Sequence, residues 1–170
     1  MIRKPNKFSR PRKPYEAVRI KEENVLLEKY ALKNKKEVWK TIAKVNYFRR
    51  RAMSLAKAPI AEQEVFFGKL RELGLPANSI ADVLALNVEN ILQRRLPTVL
   101  HRKGLASTVR EARQMIVHKR VFIESKINNT PSYLVPVSEE DKLSVKKGKA
   151  KPAKKEESQP AEPVSAEESK

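Results

Sequence analysis

Apolar positions along residues 22–93 recur at steps of three and four, the spacing that lines side chains along one face of a helix. Val25, Leu26, Leu27, Tyr30 and Leu32 predict a short amphipathic helix ending near Asn34. Val38, Trp39, Ile42, Val45, Phe48, Ala52 and Leu55 predict a longer helix, stopped by Pro59. Its opposite face carries Lys40, Lys44, Arg49, Arg50 and Arg51. A third helix is expected from about Ala61 to Leu73, with Val65, Phe66 and Leu70 inward, and Gly74 suits its C-terminal turn. Leu75-Pro76 restarts the chain. Asn78 or Ser79 caps a short helix with Asp82 in its first turn, and Asn87 caps another carrying Val88, Ile91, Leu92 and Leu96.

The pattern tightens over residues 94–136. A helix holding Leu96, Val99 and Leu100 stops at Gly104, a residue suited to the left-handed cap conformation. Thr108-Val109-Arg110-Glu111 fits a capping box, the Thr108 hydroxyl accepting from the Glu111 amide and the Glu111 carboxylate reaching back to the Thr108 amide. The helix that follows runs to about His118. It buries Ala112, Met115 and Ile116 and turns Arg110, Arg113, Gln114 and Val117 outward. Val121-Phe122-Ile123 and Tyr133-Leu134-Val135 predict two short strands, connected by residues 124–131. The fold class is α+β, mostly α: a helical domain over residues 22–93, then a module of two short helices on a small β-sheet over residues 94–145.

Composition narrows the possible chemistry. Among 170 residues there is no cysteine, which excludes a disulfide scaffold and any Cys-ligated metal or iron–sulfur site. The two histidines, His101 and His118, lie on one basic segment and make a poor nucleus for a metal or a catalytic triad. No apolar run is long enough to span a membrane, and the basic N-terminus lacks the apolar stretch of a signal peptide. With only four glycines there is no phosphate-binding glycine loop, no carboxylate sits in a recognisable catalytic motif, and no cofactor is called for. The chain reads as a non-enzymatic protein of the cytosol or nucleus.

Charge changes the picture most. Lys and Arg number 37 against 20 Asp and Glu, a net charge of +17. A field of that size most often serves nucleic acid. Residues 1–21 carry eight basic residues and one acid, interrupted by Pro5, Pro11 and Pro14, and read as an extended basic arm. Residues 146–170 hold seven Lys and five Glu among Pro, Ala and Ser, and read as a disordered, solvated tail. Arg94 to Arg120 holds eight basic residues and one acid. Arg49-Arg50-Arg51 has no acid within four residues, so nothing nearby offsets its self-repulsion, and phosphate contact is the favoured role. Trp39 and Phe48 read as core rather than as base-stacking platforms.

Two short helices joined by a tight turn bring Arg95, Arg102, Lys103, Arg110 and Arg113 close together. Arginine suits such a patch because its planar fork binds phosphate bidentately, and a helix start near Thr108 adds free amides.

The run Arg95-Leu96 … Arg102-Lys103-Gly104-Leu105-Ala106 … Glu111-Ala112-Arg113-Gln114-Met115-Ile116-Val117-His118 … Pro131-Ser132-Tyr133-Leu134-Val135 resembles the RNA-binding module named after ribosomal protein four of the small subunit. The upstream segments Tyr30-Ala31-Leu32-Lys33-Asn34-Lys35-Lys36-Glu37-Val38-Trp39, Phe48-Arg49-Arg50-Arg51 and Asp82-Val83-Leu84-Ala85-Leu86-Asn87-Val88-Glu89-Asn90-Ile91-Leu92-Gln93-Arg94-Arg95-Leu96 resemble that family in its archaeal and eukaryotic form. The likeness covers about residues 8–137. Three departures stand out. Lys119 replaces the family's usual glycine, so that position bears a modest strain or the turn has shifted. Glu124-Ser125-Lys126 replaces the usual Asn-Gly hairpin turn, which leaves strand register open. The zinc cluster of some bacterial members is impossible without cysteine.

The resemblance implies a structural constituent of the small ribosomal subunit. It implies binding of small-subunit rRNA early in assembly, at a multi-helix junction in the subunit body, near the channel through which mRNA enters. The implied partners are small-subunit rRNA, ribosomal proteins three and five, and mRNA at that channel, with no membrane involved and residence in cytoplasmic ribosomes. Carried over by position, the rRNA contacts fall on Arg94, Arg95, Arg102, Lys103, Arg110, Arg113, Gln114, His118 and Lys119, with Arg49, Arg50 and Arg51 upstream. Competing structural roles exist. Arg113 has Glu111 or Glu124 as a salt-bridge partner, His118 suits a helix end, and Gln114 suits plain helix surface. The alternative function is an rRNA-processing assembly factor of the same family. A DNA-binding helix-turn-helix fits less well, because Pro97 and the following strands suit the ribosomal module better.

Overall fold

The computed structural model of the chain describes residues 6–146. The first unit is built around α2 (Lys35–Leu55), against which α1 (Ala17–Lys29), α3 (Ile60–Glu72), α4 (Ile80–Ala85) and α5 (Val88–Gln93) pack. α2 has the predicted phase. Val38, Thr41, Val45, Phe48, Ala52 and Leu55 are buried along one stripe, while the half-exposed Ile42 sits on its flank. Val45, Phe48 and Ala52 meet Phe67, Leu70, Leu75, Val83, Leu86 and Ile91 in one core. Each fully buried Leu or Ile there contributes about 2 kcal/mol.

The third helix corrects the predicted phase. Phe67 and Leu70 are its buried residues, Phe66 is half-buried and Val65 is exposed. Rotating the face by this amount buries a phenyl ring instead of an isopropyl group, which removes more apolar surface from water. The first helix also differs: it starts at Ala17, inside the segment expected to be extended, and leaves Val25 exposed. Between Pro14 and Pro59 no proline interrupts the chain. The helix start is tied by Arg19, which donates to the Lys13 and Pro14 carbonyls at 2.9 and 3.0 Å and to the Glu23 carboxylate at 2.7 Å. Glu23 is buried and also accepts from Trp39 Nε1 at 2.8 Å, so the indole is half-buried structure rather than an open platform. Phe8 lies against that indole, with ring centroids 6.0 Å apart, and folds the arm back along α2.

The second unit stacks α6 (Leu96–Arg102) and α7 (Val109–Val117) on a three-stranded antiparallel sheet. Its strands are β1 (Val121–Ile123), β2 (Lys126–Ile127) and β3 (Leu143–Val145), in the order β2-β1-β3. Leu96, Val99, Leu100, Ala112, Ile116, Val121 and Val135 form its core. The predicted strand over Tyr133–Val135 does not join this sheet. Val135 N–H donates to the Arg94 carbonyl at 3.0 Å and Leu96 N–H to the Tyr133 carbonyl at 2.9 Å, with a single bridge between Arg95 and Leu134. Pro131 and Pro136 bracket the segment and confine the ladder to these bonds. The segment leads into α8 (Val137–Glu140), and β3 takes the sheet position instead. The hairpin between β1 and β2 has a two-residue loop, Glu124-Ser125, with Glu124 at φ 58°, and Phe122 stands opposite Ile127.

One closing device recurs. The first, third, sixth and seventh helices each end on a left-handed residue: Ala31, Gly74, Gly104 and Lys119, with φ of 47°, 70°, 70° and 58°. In each case the next amide reaches five residues back, as Leu105 N to Leu100 O and Arg120 N to Met115 O, both at 3.0 Å. Lys119 therefore occupies the glycine position of an unshifted turn. Among the described residues, no helix is long and apolar enough to cross a membrane. The tail expected from residue 146 lies, beyond Lys146, outside the described residues, as do Arg3 and Lys4 of the arm.

Candidate RNA-binding surface

The sixth and seventh helices meet at the Gly104 turn, which sets their crossing and places their arginines. Thr108 caps the seventh helix, its hydroxyl accepting from the Glu111 amide at 3.1 Å. The Glu111 carboxylate reaches one residue further back than expected, accepting from the Ser107 amide at 2.8 Å and from the Ser107 hydroxyl. Those bonds hold its carboxyl below the ordinary glutamate value, so the acid stays ionised at the helix start.

The basic residues then divide by exposure and partner. Arg95 is only 4% exposed and donates to Glu37 Oε2 at 2.8 Å. Arg113 donates to both oxygens of the same carboxylate, at 2.7 and 3.2 Å, and to the Ala31 carbonyl at 3.1 Å. Burial pushes the Glu37 carboxyl up, but the hydrogen bonds and charges of Arg113 and Arg95 outweigh it and leave it below its usual value. Arg94, 8% exposed, donates to Glu140 Oε2 at 2.9 Å and to the Val135 carbonyl at 2.8 Å. Its guanidinium lies on Gly74, where a Cβ atom would come within 2.7 Å of Arg94 Cζ. Arg49 donates to the Leu86 carbonyl at 2.7 Å and braces α2 against the end of α4.

These positions correct the expected patch. Arg94, Arg95 and Arg113 face inward, because the Glu37 and Glu140 carboxylates and the Ala31 and Val135 carbonyls outcompete solvent for their forks. Arg113 pairs with Glu37 of α2, with neither Glu111 nor Glu124. Arg49 is likewise half-buried and tethered.

The exposed set is different. Arg110, Gln114, His118 and Lys119 stand on the outer face and end of the seventh helix, and Arg120 follows them. Arg50 and Arg51 stand free on α2, Arg50 Nε donating back to the Asn46 carbonyl at 3.3 Å. Arg102 is half-exposed and pairs with Glu140. Lys103 is held by Asp141 at 2.9 Å and by the Glu140 carbonyl. Both remain at the surface. The arrangement offers cations on both units to an extended polyanion, and among the described residues no cluster of metal-ligating side chains occurs.

Sequence reasoning missed Glu37 and Glu140, the acids that organise these arginines. One signal pointed to the first: Glu37 is the only acid in the 21 residues of α2. Arg120, Lys7, Lys40 and Lys44 were also not singled out as site residues.

Residues 94–141 match the model of the S4 domain. The chain is 44% identical over 144 residues to the small ribosomal subunit protein uS4 of Methanococcus aeolicus, covering 81% of each chain. It is 43% identical over 143 residues to the protein of that name from Methanothermobacter thermautotrophicus, covering 81% of this chain and 84% of the relative. The protein of that name from Hyperthermus butylicus is 42% identical over 141 residues, with 79% and 80% covered.

Proposed function

The chain belongs to the small ribosomal subunit protein uS4 family, and from that premise we propose that it is a structural constituent of the small subunit that binds its rRNA early in assembly. The observation that carries the reading is the separation of its cations. One set is paired within the fold, through Glu37, which ties α2 to the second unit, and through Glu140, inside that unit, and a second set stands exposed on that frame. A rigid frame with fixed outward cations reads the shape of a folded RNA through its phosphates.

In this reading Arg50, Arg51, Arg110, Gln114, His118 and Lys119 contact rRNA, and Arg102 and Lys103 join them at the edge. Arg49, Arg94, Arg95 and Arg113 set the angle between the units rather than touch RNA. The target is a multi-helix junction in the subunit body, near the channel through which mRNA enters, with ribosomal proteins three and five as neighbours. No step of this role needs a reaction or a cofactor.

Sedimentation of native particles tests it. The protein should remain with mature small subunits through a high-salt wash and should bind a junction fragment of small-subunit rRNA when purified. A protein found only on precursor particles would instead be an assembly factor.

A further inference from the structure

A groove lies away from the S4 domain, between the N-terminal arm and α2. It has a volume of about 1250 Å³. The arm forms one wall, held there by the contact of Phe8 with Trp39. The other wall is the face of α2 that carries Lys40, Lys44, Tyr47, Arg50 and Met53. Five cations line this groove, counting Lys7 and Arg49, and no carboxylate does.

Two features show that, among the described residues, no carboxylate meets the charge here. Lys44 is half-buried and lies over the Phe48 ring, 5.9 Å from its centroid, yet among the described residues it makes no ion pair or hydrogen bond. Burial and the nearby Lys7 charge both push its ammonium down from the ordinary lysine value, so the site resists its own cation. Lys40 and Lys44 also line a smaller cavity of about 260 Å³, together with Glu37, Arg95 and Arg113. A partly desolvated ammonium among like charges, met by an aromatic face but by no anion, calls for an anion from outside.

The groove also contains apolar surface that a bare polyphosphate would not use. Tyr47 is 57% exposed and Met53 is 64% exposed, both on the face of α2 that carries the lysines. Residues 40, 44, 47 and 50 follow one another by three and four, so cations and ring alternate along about 15 Å of helix. A base paired and stacked within a duplex cannot reach such a ring, whereas an unpaired base can.

We propose that the groove between the arm and α2 is a second RNA site that takes a short single-stranded segment, with its phosphates on Lys40, Lys44 and Arg50 and a base against Tyr47. The proposal rests on the reading of the chain as an RNA-binding protein and adds the strandedness and the place of a separate contact.

The test uses the full chain and a fluorescent unstructured oligouridylate, compared with a duplex of the same length and with a junction fragment of small-subunit rRNA. The wild-type protein should bind the single strand more tightly than the duplex. Lys40→Gln with Lys44→Gln should weaken the single strand roughly tenfold or more. Tyr47→Ala should weaken it roughly fivefold, the loss of one stacked base. Ultraviolet crosslinks should map within α2. Lys69→Gln with Arg71→Gln, on the exposed end of α3, should change nothing. The proposal is overturned if the duplex binds as well as the single strand, if the lysine pair has no effect, or if polyglutamate displaces the oligonucleotide equally well. A protein that binds the junction but not the oligonucleotide overturns the groove alone, whereas one that binds neither RNA overturns the functional reading. Should the lysine variant fail to fold, the Tyr47→Ala result and the crosslink map decide.

Discussion

Arg113 in the seventh helix donates to Glu37 Oε1 in α2 at 2.7 Å, across 76 residues of sequence. Arg95 completes the clamp from the other side, at 2.8 Å from Oε2. A single carboxylate thus sets how the S4 domain sits on the helical unit. Removing its charge leaves two guanidinium groups in a poorly solvated place without a counter-ion. Glu37→Gln keeps the shape and loses the charge, and should lower stability by about 3 kcal/mol, the lower end for breaking a buried pair from one side. Urea unfolding checks this. An unchanged midpoint would mean that water reaches the arginines and the clamp is only a surface contact.

The same geometry separates variants that harm folding from variants that harm binding. Arg113→Glu sets a second carboxylate against Glu37 and should unfold the protein or lower its melting temperature steeply. Arg110→Glu with Lys119→Glu alters exposed residues and should leave the melting temperature near that of the wild type. The exposed pair should weaken RNA binding and reduce the slope of log K against log salt by about two, one per lost phosphate contact. Titration of a junction RNA at several salt concentrations, with circular dichroism alongside, reads both. If Arg110 and Lys119 leave the slope unchanged, the outer face of the seventh helix is not the RNA surface.

The contrast explains what the sequence made legible. Helices and their ends are local events: the three-and-four spacing from Val38 to Leu55, the Ser79–Asp82 cap and the glycine turns at 74 and 104 all follow from residues a few positions apart. The basic character of residues 94–120 was legible for the same reason. Which arginines face inward was not, because Glu37 and Glu140 arrive from 58 and 46 residues away from Arg95 and Arg94. Charge counting saw one cation-rich segment, while pairing at long range split it into braces and contacts. The strand at Tyr133–Val135 was misplaced by the same blindness. Its apolar pattern demanded burial without naming the Arg94–Leu96 backbone as the partner.

Acid should weaken the frame by a defined route. Glu37, Glu140 and Glu23 all titrate below the ordinary glutamate value, because arginine bonds, with Trp39 added at Glu23, outweigh the upward push of burial. A carboxyl lowered in the folded state stabilises the fold above its unfolded value, and that stabilisation is lost as pH falls through the folded value. Stability should therefore hold near neutrality and fall progressively below about pH 5. Tyr133 works at the other end. Its hydroxyl donates to Glu139 Oε2 at 2.7 Å, and that bond, with burial, pushes the phenol up to about 12. The protonated phenol stabilises the fold below about pH 10, and this contribution fades as pH rises toward 12. Stability curves for wild type and Tyr133→Phe should thus run parallel in acid and converge in strong alkali. Curves that stay parallel throughout would show that the Tyr133–Glu139 bond contributes nothing.

Lys119 and Gly74 make opposite cases of one helix ending. Both stand at the left-handed position after a helix, at φ 58° and 70°. For a residue with a Cβ that conformation costs about 1–2 kcal/mol. Lys119 bears this cost at an exposed site where the turn's hydrogen bonds from Lys119 N to Ile116 O and Arg120 N to Met115 O are intact, at 2.9 and 3.0 Å. Lys119→Gly should keep those bonds, relieve the strain and raise stability by about 1 kcal/mol, the gain tempered by the extra freedom glycine gives the unfolded chain. It should also remove one phosphate contact, so stability rises while RNA affinity falls. Gly74→Ala incurs the same backbone cost and adds a steric one, because the new methyl would press on Arg94 Cζ from 2.7 Å. That guanidinium cannot yield without loosening its bonds to Glu140 and Val135. Gly74→Ala should therefore destabilise by about 3 kcal/mol or more, strain and lost buried pairing combined. Thermal melts of the two variants decide the matter: if both shift in the same direction, backbone conformation at these turns does not govern their stability.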